Sequence, residues 1–106
     1  MANIMPPEKF DVEWTESALF ELRDIIEYIE LSNSMAAEQL AKLVFQRTEQ
    51  LEQFPESCPV VDELPELNYR QLLVGPIRLI YQIEKQNVMM LHVVRQEREI
   101  SRLLMK

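Results

Sequence analysis

Apolar and polar positions alternate along residues 69–94, YRQLLVGPIRLIYQIEKQNVMMLHVV, and the alternation predicts three consecutive antiparallel strands. Tyr69–Val74 and Ile77–Glu84 join through Gly75-Pro76, and a turn at Lys85-Gln86-Asn87 leads into Val88–Val94. With those turns, one face collects Leu72, Val74, Ile77, Leu79, Tyr81, Ile83, Met89, Leu91 and Val93, an expected core. The other face collects Gln71, Leu73, Arg78, Ile80, Gln82, Met90 and His92. If the second turn is a residue shorter, the last strand slips and its faces exchange.

Upstream, the period changes. Phe10-Asp11-Val12-Glu13-Trp14 alternates as a half-buried edge strand does, with Trp14 as a core anchor. Thr15 is a good N-cap for a helix to about Leu31, whose stripe is Ala18, Leu19, Leu22, Ile25, Ile26 and Ile29. Ser32-Asn33-Ser34 interrupts the pattern, and Ser34 is placed to cap a second helix reaching about Gln53. Its apolar side holds Ala37, Leu40, Ala41, Val44, Thr48 and Leu51, widened by Leu43 and Phe54. So short a connection implies an antiparallel helical hairpin, ended by Pro55. The proline-rich, acidic stretch 55–67 reads as a loop wrapping a sheet edge, and Gln96–Lys106 as a short helix. The expected fold is α+β: an N-terminal edge strand, a helical hairpin packed on a small antiparallel sheet, and a short C-terminal helix. At 106 residues the chain is one domain with a real core.

Charge divides this plan unevenly. Residues 1–67 hold 15 acidic and 4 basic side chains, whereas residues 68–106 hold 3 acidic and 7 basic. The net charge of −7 repels nucleic acid at long range, while the basic third suits an acidic partner. A single cysteine, Cys58, forbids an intrachain disulfide and fits a reducing compartment. No secretory signal and no apolar run long enough for a membrane span are visible, so the expected location is cytoplasmic, without membrane contact.

Self-contained catalysis lacks its usual parts. One glycine leaves no phosphate-cradling loop, and one histidine and one cysteine far apart supply no metal or cofactor set. The carboxylates of the first helix have no histidine or cysteine beside them. One constellation remains: Arg70, Arg78, His92, Arg95 and Arg98, with Arg102 continuing the basic series. Arginines on and beside a sheet bind phosphate through charge-assisted hydrogen bonds. Metal-free RNA cleavage also needs a general base and acid; Arg78 and His92 could serve in part, and no other residue is an obvious proton donor.

Several strings resemble one family. VEWTESALFELRDIIEYI, LEQFPES and above all IRLIYQIEKQNVMMLHVVRQER look like the RelE/ParE toxin superfamily, over roughly residues 10–100. The resemblance implies the toxin of a type II toxin–antitoxin pair, neutralised by a cognate antitoxin through which any DNA contact is made. A homodimer or a toxin–antitoxin heterotetramer is the implied assembly.

Two subclasses compete within it. RelE-like members are ribosome-dependent mRNA endoribonucleases, and Arg70 and Arg78 fall on the family's strand arginines, with His92 as a further catalytic candidate. However, VVDELPELN is acidic where basic residues belong, and QEREISRLLMK has no tyrosine. The hairpin, the FPES segment and the LHVVRQER ending look more like ParE, which is associated with inhibition of DNA gyrase. That subclass makes Arg78, His92, Arg95, Arg98 and Arg102 candidates for binding target or antitoxin, with no catalytic residue. A non-toxic regulatory or structural member is the third alternative.

Overall fold

A computed structural model describes residues 9–96. All but the first residue of the expected helix over Gln96–Lys106 lies outside that span, as do Arg98 and Arg102. The edge strand forms as expected: β1 (Asp11–Trp14). Thr15 then ends the strand and starts α1 (Glu16–Glu30). Its hydroxyl oxygen accepts the Ala18 N–H at 3.1 Å, and its own N–H donates to the Met90 carbonyl at 3.1 Å. One residue thus caps the helix and ties its start to the last strand.

The second helix, α2 (Ser34–Glu49), is capped one residue earlier than expected. Asn33 supplies the cap, its Oδ1 accepting the Ala36 N–H at 3.0 Å. A 3-10 turn over Gln50–Glu52 carries the helical path towards Pro55. Ala18, Leu22, Leu40, Val44 and Leu51 enter the core from the hairpin, with Ile25, Ile26, Ile29 and Trp14 packed against them. Leu19, Leu43 and Phe54, expected on the apolar stripes, are exposed instead.

The remaining strands are β2 (Arg70–Val74), β3 (Ile77–Glu84) and β4 (Asn87–Arg95). Sheet order is β1-β4-β3-β2, with β1 parallel to β4 and the other neighbours antiparallel. The edge strand joins the sheet as expected, and its parallel pairing with β4 is the one departure from an all-antiparallel sheet. Gly75 turns the first hairpin at φ +53, a left-handed conformation that suits glycine.

The second hairpin differs from expectation. Glu84 pairs with Asn87, so the turn is only Lys85-Gln86, with Lys85 at φ 57. The shorter turn exchanges the faces of early β4: Val88 and Met90 are buried in the core, where Met89 and Leu91 were expected. A bulge then corrects the register, because Tyr81 pairs with Met90 while Ile80 pairs with His92. Leu91 is the extra residue, and beyond it Val93 faces the core and His92 the other side, as the alternation predicts.

That other side has its own apolar cluster. Val61, Leu64, Ile80 and Val94 are buried together, with Tyr69 against them. The segment before β2 therefore folds back along its outer edge. The Val61 N–H donates to the Tyr69 carbonyl at 2.7 Å, and the Gln71 N–H to the Pro59 carbonyl at 3.0 Å.

Candidate interaction surface

Strand alternation separates the two arginines nominated for phosphate chemistry. Arg70 pairs with core-facing Tyr81, whereas Arg78 pairs with Leu73 and lies beside Gln71 on the second face. Each holds a different part of the 55–67 segment. Arg70 Nη1 donates to the Cys58 carbonyl at 2.6 Å and to the Glu56 carbonyl at 3.3 Å. Arg78 Nη2 meets Glu63 Oε2 at 3.0 Å, and its Nη1 donates to Gln71 Oε1 at 3.0 Å. Arg78 is only 8% exposed. Tyr81 completes the fastening: its hydroxyl donates to the Pro55 carbonyl at 2.6 Å. Burial pushes this phenol above its ordinary ionisation range, so it stays a donor.

His92 and Arg95 serve a different place. The His92 Nδ1 lies 3.4 Å from Glu21 Oε2, and Glu21 Oε1 accepts the Val93 N–H at 2.9 Å. The Arg95 guanidinium stands over the Tyr28 ring, 4.9 Å from its centroid, at cation–π distance. Between α1 and the end of β4 lies a groove of about 300 Å³, lined by Phe20, Glu21, Asp24, Tyr28, Val93 and Arg95 among others. Phe20 is 66% exposed and Tyr28 62% exposed, an aromatic pair on the outer side of α1.

Of the nominated residues, then, Arg95 lines this groove and His92 borders it through Glu21, while Arg70 and Arg78 fasten a loop. Sequence reasoning missed Phe20, Tyr28 and Glu63. The first two had a signal: they are aromatic residues left off the buried stripe of α1. Glu63 had none, because its partner is Arg78, fifteen residues away across a loop. Among the described residues, no group of three or more His, Cys, Asp or Glu side chains is placed to hold a metal ion. No helix among them is long and apolar enough to cross a membrane.

A strand, a helical hairpin and a three-stranded meander, with the first strand beside the last, define the RelE/ParE class of toxin folds. A chain of the chromosomal ParDE TA system from P. aeruginosa shares it, with a TM-score of 0.72 at 17% identity over 85% of this chain and 99% of that one. A chain of the RelBE2 toxin–antitoxin complex from Mycobacterium tuberculosis is similar at a TM-score of 0.56, with 20% identity over 83% of this chain and 99% of that one. Comparison with curated protein sequences gives no match. The family described as the ParE toxin of the type II toxin–antitoxin system parDE matches residues 12–100, and the chain belongs to that family.

Proposed function

We propose that this protein is the toxin of a type II toxin–antitoxin pair and acts by binding DNA gyrase, without cleaving RNA. The observation that carries the reading is the disposition of its cations. Arg70 and Arg78 lie on opposite faces and are engaged by the chain's own loop, whereas Arg95 lines an open, aromatic groove. Phosphodiester cleavage requires convergent cations with an acid and a base around one phosphate. Protein binding requires exposed aromatic and arginine anchors.

The cognate antitoxin covers the toxin with an amphipathic segment and supplies any DNA contact, in a heterotetrameric complex. The protein works in the cytoplasm, where gyrase is found.

Purified gyrase tests the target directly. Supercoiling should stall on adding the protein and recover on adding the product of the neighbouring antitoxin frame. New, site-specific mRNA ends on translating ribosomes, lost in Arg78→Ala, would instead establish an endoribonuclease. Normal growth on expressing the folded protein without its partner would make it a non-toxic member.

A further inference from the structure

Arg78 meets a carboxylate of its own chain at the rim of the sheet. Its guanidinium is held on the second face of the sheet, between Gln71 and Glu63. The residue is 8% exposed, and the Glu63 side chain remains 31% exposed at the rim. A guanidinium presenting a planar fork, with an amide beside it, is a receptor for one oxyanion. Here the oxyanion is Glu63.

We propose that Glu63 fills an oxyanion site made by Arg78 and Gln71, and that this self-occupancy excludes phosphate from the second face of the sheet. Three features support the assignment. The loop carrying Glu63 is anchored independently, by Val61 and Leu64 in the second apolar cluster and by the Val61 N–H to the Tyr69 carbonyl. Removal of the carboxylate alone therefore opens the site and leaves its walls standing. The Gln71 amide, an acceptor towards Arg78, also carries an NH₂ group able to donate to an incoming anion. A buried guanidinium that loses a carboxylate partner also carries a penalty that a mobile anion relieves. Glu63 is thus a specificity-determining residue, and the inference is independent of the cellular target.

Wild type, Glu63→Ala and Glu63→Asp are titrated with inorganic phosphate against chloride at matched ionic strength. The readouts are the thermal midpoint and the side-chain Nε resonance of Arg78. Glu63→Ala should show a saturable rise in midpoint, with the Arg78 resonance moving on the same curve. Its phosphate affinity should exceed that of the wild type by about tenfold or more, the equivalent of one charge-assisted hydrogen bond. Glu63→Asp, which keeps a carboxylate, should respond as the wild type does. If Glu63→Ala is unfolded in chloride, folding restored by phosphate supports the site, and failure to fold in both salts overturns it. Wild type responding as strongly as Glu63→Ala, or a midpoint rise with an unmoved Arg78 resonance, also overturns it.

Discussion

Tyr81 sits in the core beneath the point where the hairpin gives way to the loop, and the hydrogen bond from its hydroxyl to the Pro55 carbonyl holds that junction. Tyr81→Phe keeps the packing and removes the bond, so it should cost about 1 kcal/mol in a denaturant titration at neutral pH. The pH dependence has a definite sign. Burial raises the phenol of the folded chain above its ordinary value of 10.0, so above that pH the unfolded chain releases a proton that the folded chain keeps. Stability is therefore lost as pH climbs beyond that value, and Tyr81→Phe should lose less of it. Arg78→Met removes a cation rather than a hydroxyl and leaves Glu63 without its guanidinium. It should cost about 2–3 kcal/mol, in the range of hydrogen bonds to charged groups, read by the same titration.

At the scale of the elements, the turns carry information that the strands do not. Gly75→Ala should cost about 1–2 kcal/mol, since the left-handed backbone there penalises a Cβ. The added methyl itself has room, 3.6 Å from Leu40 Cδ1. Deleting Leu91 tests the bulge. Without that extra residue Met90 still faces Tyr81 and His92 still faces Ile80, so Val88, Met90 and Val93 keep their places in the core. The deletion should therefore preserve a cooperative thermal transition, whereas deleting Met89 puts the flanking residues out of phase and should abolish it. The same bulge explains which parts of the fold are legible in the chain. Helix stripes, the Thr15 cap, the antiparallel run of the last three strands and the first hairpin follow from local period and from glycine and proline, whereas the pairing of β1 with β4 does not. Lys85 gives no such signal: a lysine at positive φ looks like any turn residue, and Asn87 appears a better candidate for the bend than for the strand. Of the candidate site, Arg95 and His92 are visible from their strand, whereas the groove they meet exists only because α1 crosses β4.

For the molecule as a whole, the two surfaces make separable predictions. Phe20→Ala, Tyr28→Ala and Arg95→Glu alter side chains at the rim of the groove and should leave the thermal midpoint nearly unchanged. If the groove is the gyrase or antitoxin contact, each should weaken that complex by about 1–3 kcal/mol, measured by calorimetry. Arg70→Ala, which alters only the loop fastening, should lower the midpoint and leave the affinity of the folded fraction unchanged. One arrangement also constrains when this protein can become itself. Val12 lies beside Val88, so the first strand has no neighbour in the sheet until the last one exists. During synthesis β1 and the hairpin emerge early and wait, their apolar sides uncovered, for nearly the whole chain to follow. Contacts so distant in sequence form late. The groove along α1 is assembled last of all, because its other wall is the end of β4. A copy made only as far as β3 therefore has one wall of the groove and not the other.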